Sequence, residues 1–207
     1  MSKPDTSIDP RILECAKQEF LSCGYEKAST VTICKNAGVT TGALYKRYSG
    51  KEALFCAIVS SAADDLKKQI QTQNEKFHRL PDEKKSKAAF DGQTGSFPYI
   101  DFVYDHFEEF KILLECPKGT RYENYMNELV DIIVESTMVF MEETNCKAVI
   151  HGEKVSPELI HMVTSAYLSG IFEPVFHDMS REEAKIYVDQ LQYFFNIGWE
   201  KILQPQV

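Results

Sequence analysis

An all-α fold is predicted, built as a small three-helix head followed by a larger helical body. Three features carry this. Apolar residues recur at gaps of three and four along most of the 207 residues, the periodicity of a helix with one buried face. No stretch alternates apolar and polar residues persuasively, as a half-buried strand would. Ser, Thr or Asp stands ahead of the periodic runs and Gly behind several of them, where helices begin and end.

The elements follow in order. Asp9 and Pro10 read as an N-cap and a first-turn proline. Ile12, Leu13, Ala16 and Phe20 then share a face, and Gly24 stops the helix. A second helix starts after Ser29 or Thr30, carries Val31, Ile33, Cys34 and Ala37, and ends at Gly38. Thr40 caps a third, short helix through about Arg47. Ser49 and Glu52 form the S-x-x-E pattern of a capping box, opening a long fourth helix from Lys51. Residues 79–96, RLPDEKKSKAAFDGQTGS, are polar, contain Pro and Gly, and read as a linker. Helical pattern resumes in the aromatic-rich 99–116 and continues in a long helix over about 120–144. Ser156 and Pro157 open a further helix to about Phe172, and Ser180 with Glu183 forms a second capping box, opening a last helix to about Leu203.

The last helix places Ala184, Val188, Leu191, Phe195, Gly198 and Ile202 at alternating gaps of four and three, widened by Tyr187, Phe194 and Trp199. The helix before it offers Leu159, Val163, Ala166 and Gly170. Such seams line helix bundles. Burial within one chain and a four-helix interface between two copies both satisfy the pattern.

The formal net charge is −8, distributed unevenly. Residues 1–60 hold eight Lys/Arg and six Asp/Glu, while the rest hold fifteen and twenty-five. A mildly basic head on an acidic body suits a protein that meets phosphate only with its head. The first ten residues lack a signal-peptide core and no run of about 18 apolar residues occurs, so a cytoplasmic location with no membrane partner is expected. The six cysteines form no CxxC pair and read as buried reduced thiols, and none of the five histidines has the spacing of a metal pair, so neither metal nor cofactor is expected. Glycine-rich phosphate loops, G-x-S-x-G and H-E-x-x-H are absent from the sequence.

The stretch AGVTTGALYKRYSGKEALF (37–55) carries the chemistry. A helix ending at Gly38 and another starting near Thr40 make a helix-turn-helix. Val39 and Leu44 face the small core with Ile12, Ala16, Phe20 and Ile33; Thr40, Thr41, Gly42, Ala43, Tyr45 and Lys46 face outward. Small outward residues let the second helix sit deep in a major groove about 12 Å wide, where Thr groups read base edges. Tyr45, Lys46, Arg47, Tyr48 and Lys51 supply phosphate donors, helped by the amides at the start of the fourth helix.

On these residues the segment 29–55 resembles the DNA-binding signature of the TetR family of transcriptional regulators. Thr30, Ile33, Ala37-Gly38-Val39, Thr40, Gly42, Leu44, Tyr45, Tyr48, Lys51, Glu52 and Leu54 agree in spacing, with Phe20 and Gly24 upstream. Cys34, Thr40, Arg47 and Tyr48 stand where the family more often has alanine, serine, histidine or tyrosine, and phenylalanine.

The resemblance implies a DNA-binding domain at 1–50 and an effector-binding and dimerising domain at 51–207. It implies a repressor that binds a palindromic DNA operator as a homodimer through its last two helices and is released by a small molecule. Thr41, Gly42, Ala43 and Tyr45 would lie nearest the bases, with Thr30, Thr40, Lys46, Tyr48 and Lys51 completing the contact. Candidate effector contacts lie among the middle aromatics: Phe102, His106, Phe110, Tyr122, Tyr125, Met126 and Tyr167, which suit a largely apolar ligand. Asp101, Asp105, Glu108 and Glu109 read as a solvated face. The rival readings are a helical enzyme and a protein-binding scaffold.

Overall fold

The computed structural model describes residues 8–91, 98–146 and 148–203. They form ten helices and one two-residue hairpin. The chain groups into two compact units, residues 1–65 with 106–124, and residues 66–105 with 125–207.

In the first unit, α1 (Ile8–Lys27) contains a kink at Gly24, whose φ of 75° and ψ of 165° lie outside the helical region. Gly is the residue that takes this conformation without strain, so the predicted stop is a break within one continuous element. The start differs too. Asp9 lies inside the helix, and its carboxylate pairs with Arg47 Nε at 2.6 Å.

Ser29 is the N-cap of α2 (Thr30–Ala37), accepting the Thr32 amide, and Gly38 ends it in the left-handed region at φ 65°. Thr40 caps α3 (Thr41–Tyr45) by accepting the Ala43 amide at 3.2 Å. Losing such a cap costs about 0.5–2 kcal/mol. Ile12, Ala16, Phe20, Ile33 and Leu44 are all fully buried. Val31, grouped with the core face by its spacing, is instead 65% exposed. The buried face of α2 is taken by Ile33, Cys34 and Ala37.

The long α4 (Lys51–His78) contributes Leu54, Phe55, Ile58, Val59, Ala62 and Ala63 to the first unit's core. Glu52, read as half of a capping box, accepts the backbone amide of Arg121 at 3.1 Å. Phe20, Tyr25 and Phe55 form a mutually packed trio with ring centroids 5.4–5.9 Å apart, and Tyr122 joins Phe55 at 6.2 Å.

The predicted helix over 99–116 is two helices, α6 (Ile100–Asp105) and α7 (Phe107–Glu115), separated at His106 with φ −122° and ψ 38°. Lys17 on α1 bonds Glu109 of α7 at 2.6 Å and Glu108 at 3.4 Å. Burial alone would push the Glu109 carboxyl up, but the Lys17 ammonium holds it below its ordinary value. A depressed carboxyl contributes stability above its unfolded value, about 4.3, and that stability is lost as pH falls through the folded value. Acidification from pH 5 to 3 therefore lowers the melting temperature more in wild type than in Lys17→Met, a comparison read by scanning calorimetry.

In the second unit, residues 82–91 of the expected linker are helix α5 (Asp82–Asp91). Residues 92–96 of that linker lie outside the described residues. Its polar residues hide a helical fragment because Lys85, though charged, is buried and pairs with Asp82 at 2.7 Å and Glu143 at 2.9 Å. The helix expected from about 120 begins later, as α8 (Tyr125–Glu143). A small hairpin of β1 (Val149–Ile150) and β2 (Glu153–Lys154) follows, too short for alternation to reveal.

Ser156 caps α9 (Pro157–Phe176), and Ser180 with Glu183 forms the expected capping box of α10 (Arg181–Ile202). By length and composition alone α9 is long and apolar enough to cross a membrane. Ile160, Thr164, Leu168, Ile171, Phe172, Pro174 and Val175 are buried inside the unit, the behaviour of a core helix.

Two apolar clusters hold the second unit. One joins Phe140, Met141, Cys146, Ala148, Val155, Ile160 and Leu203; the other joins Ile100, Ile171, Ala184 and Val188. Gly170 lets α10 come close, since a Cβ there would stand 2.7 Å from Leu191 Cδ2. The upper half of the predicted seam, Ala184, Val188 and Leu191, therefore packs within the chain. A different stripe of α10 faces outward: Ile186 (62% exposed), Tyr193 (66%), Phe194 (72%) and Ile197, with Met162 of α9. Asp101 and Asp105 are exposed, and Arg181 pairs with both.

Candidate nucleic-acid interface

Three local devices shape the face of α3. The Gly38 turn reverses the chain after α2, the Thr40 cap fixes the first turn of α3, and Leu44 anchors the helix by its one buried side chain. Those constraints leave Thr40, Thr41, Gly42, Tyr45 and Lys46 exposed and Ala43 half-buried. Tyr45 is 52% exposed, and its hydroxyl lies 3.3 Å from Thr30 Oγ1 across the α2–α3 pair. A Cβ at Gly42 would meet only Thr40 Oγ1, at 4.0 Å, so nothing covers the helix there. Thr40, Thr41, Gly42, Tyr45 and Lys46 thus form an exposed surface patch, with half-buried Ala43 within it and half-buried Thr30 at its edge.

Tyr48 and Lys51 are placed otherwise. Tyr48 is half-buried, and burial first, then the nearby Asp9 carboxylate, pushes its phenol up. Lys51 donates to the carbonyls of Glu26 at 3.0 Å and Ala28 at 3.2 Å, and its ammonium lies 4.6 Å from the Tyr25 ring centroid. It satisfies free carbonyls at the C-terminal end of α1, where a cation is favourable. We expect Lys51→Ala to destabilise the protein by about 1 kcal/mol, read as a lower melting temperature. Arg47 behaves similarly, pairing with Asp9 and donating to the Ala43 carbonyl at 3.3 Å. Cys34 is buried, and burial pushes its thiol up, which leaves little thiolate at neutral pH.

Residues 12–58 match the profile of the bacterial regulatory proteins of the tetR family. Residues 12–58 are a TetR-family DNA-binding domain. Over 62 residues the chain is 41% identical to the transcriptional regulator UidR of Escherichia coli K12, a match covering 28% of this chain and 32% of that relative. The chain thus spans about a third of the curated relatives it matches.

The TetR-like fold extends through the whole described chain. The structure of NalD, the secondary repressor of the MexAB-OprM multidrug efflux pump in Pseudomonas aeruginosa, superposes with a TM-score of 0.58 at 15% identity, covering 99% of this chain and all of that one. A TetR-like regulator from Rhodococcus sp. RHA1 gives 0.56 at 15%, covering 95% and 100%. At these identities the likeness concerns fold. TetR-family proteins are transcriptional regulators and not enzymes.

The candidate effector residues divide between the two units. His106, Phe110 and Tyr122 belong to the first unit, where Phe110 and Tyr122 are core. Phe102, Tyr125, Met126 and Tyr167 belong to the second, where Tyr125 is 1% exposed. Among them only Tyr167 lines an apolar cavity of ≈ 200 Å³ in the second unit. The sequence reading missed Phe77, Ile133, Ser136, Thr137, Phe140, Asn196 and Trp199, which line it from α4, α8 and α10. Ile133, Thr137 and Phe140 sit at gaps of four and three, a signal visible in the sequence, but that spacing also describes an ordinary core.

Beside this cavity, His78 Nδ1 lies 2.7 Å from Glu143 Oε2, and its Nε2 lies 2.9 Å from Ser136 Oγ. The order matches a hydrolytic triad, but Ser136 sits in mid-α8, where the helix's own hydrogen bonds occupy the amides an oxyanion would need. The trio ties the end of α4 to α8.

Proposed function

We propose that this protein is a ligand-responsive transcriptional repressor that binds a palindromic operator as a homodimer. The exposed patch of Thr41, Gly42, Tyr45 and Lys46, with half-buried Thr30 beside it, over a closed apolar core is the observation that carries this reading. Thr41, Gly42, Ala43 and Tyr45 approach base edges. Thr30, Thr40 and Lys46 hold phosphates, while Tyr48 and Lys51 brace the patch from beneath. Functionally, 1–50 serves as the DNA-binding domain and 51–207 as the effector-binding and dimerising domain, within a cytoplasmic protein.

A rigid dimer fixes the spacing of two reading helices, and half-sites about 34–36 Å apart require that spacing. The stripe Ile186, Tyr193, Phe194 and Ile197 with Met162 supports the self-association, being an exposed apolar surface on the last two helices. Phe194→Glu is expected to convert dimer to monomer with helicity unchanged, as read by sedimentation and circular dichroism. A variant that stays dimeric places the interface elsewhere.

A small molecule releases DNA by binding the DNA-incompetent state more tightly. The His78–Ser136 bond supports α4 as the lever, because it joins the cavity wall to the helix that begins at Lys51. Selection of bound duplexes from a random pool by the purified protein tests the function. An enriched inverted repeat supports a dimeric reader. No enrichment, from folded dimer, counts against operator recognition.

A further inference from the structure

One residue lining the ≈ 200 Å³ cavity of the second unit carries a buried polar atom without a partner among the described residues. Asn196 lines the cavity, and its Nδ2 is buried with no hydrogen-bond partner among the described residues. A buried amide donor is expected to be paired. The remaining walls are Phe77, Phe140, Tyr167 and Trp199 with aliphatic and hydroxyl side chains, and no lining residue carries a formal charge. Thr137 donates its hydroxyl to the Ile133 carbonyl, so it is already engaged. Burial pushes the Tyr167 phenol up to about 12, so that ring enters the wall uncharged.

We propose that this cavity binds a small, uncharged, one-ring aromatic compound bearing a carbonyl oxygen, which accepts a hydrogen bond from Asn196 Nδ2. The proposal rests on the reading of the second unit as effector-binding and gives that effector its chemical class. Three features choose the class. A void of ≈ 200 Å³ is a little larger than one that holds benzene, roughly 150 Å³. Four aromatic walls suit a flat ring packed edge-to-face or offset. An uncharged lining excludes an ionised ligand, whose desolvation nothing here offsets. The unpaired donor sets specificity, since an analogue without the oxygen leaves Asn196 as it stands.

Acetophenone is the probe, with ethylbenzene as its carbonyl-free shape match and benzoate as its charged one. Titration calorimetry on the full-length protein without DNA should show acetophenone binding about tenfold or more tightly than ethylbenzene, and benzoate weakest. Asn196→Leu should remove the preference for acetophenone while keeping ethylbenzene binding. Should that variant fail to fold, the Asn196 side-chain amide resonance of wild-type protein provides a second reading. It should shift on addition of acetophenone and hold still with ethylbenzene.

Equal affinity for acetophenone and ethylbenzene, tighter binding of benzoate, or no binding of acetophenone to folded protein each overturns the proposal. Because DNA is absent from these measurements, their failure is separate from failure of the operator selection. A protein that binds acetophenone through Asn196 but enriches no duplex keeps the site and loses the regulatory reading.

Discussion

A Gly42→Glu protein is expected to fold as wild type does and to lose operator affinity by more than about a hundredfold, equivalent to about 2.7 kcal/mol. The fold tolerates the change because the site is open: a Cβ there would meet only Thr40 Oγ1, at 4.0 Å. Gly42 lies in the first turn of α3, where an acidic side chain is favoured by the helix dipole, and any residue but proline suits a helix better than glycine. Against DNA the same side chain sets a carboxylate among phosphates and acceptor-rich base edges at the closest point of approach. Fluorescence anisotropy on the selected duplex, beside a melting curve, separates the two effects. Wild-type affinity in this variant would move recognition off α3.

The largest stability effect is expected at Phe20. The side chain is fully buried, packs on Phe55 at 5.6 Å and Tyr25 at 5.9 Å, and its own carbonyl accepts the Cys116 thiol at 3.6 Å. Phe20→Ala leaves a ring-sized void in the centre of the first unit, at a cost of about 3–5 kcal/mol. Total stabilities run at about 5–15 kcal/mol. For a unit of this size the melting temperature should fall by more than about 10 °C. Cys34 should then become accessible to thiol reagents well below the wild-type melting temperature. A loss under about 1 kcal/mol would mean the aromatic trio does not hold this unit together.

The parts of this fold legible in the sequence are those decided within a few residues. Ser29, Gly38, Thr40, Ser156 and the Ser180–Glu183 box each act on amides or dihedrals no more than three positions away, and all stand where the sequence places them. The residues of the α3 face were legible for the same reason, because a short turn and one buried leucine leave little freedom.

Distant partners explain the failures. Lys85 sits in a polar segment and becomes helix core only because Glu143 lies far along the chain. The bonds of Lys51 to the carbonyls of Glu26 and Ala28 likewise lie more than twenty residues away in sequence, beyond the reach of local spacing. Aromatic residues at helical spacing do not reveal which of two cores they enter, so Phe110 and Tyr122 were grouped with Tyr125 and Tyr167. Spacing alone left the seam of α10 open between burial and self-association; Gly170 lets Leu191 pack close, while Phe194 of the same stripe is exposed.

The central claim, that the α3 face of a dimer grips DNA, is tested most directly by a salt titration of the selected duplex. Each phosphate neutralised releases counterions, so the logarithm of affinity should fall linearly with the logarithm of salt concentration, with a slope steeper than about −4 for two engaged heads. The account predicts that steep line for wild type and a shallower one for Lys46→Ala. A wild-type affinity indifferent to salt would contradict it.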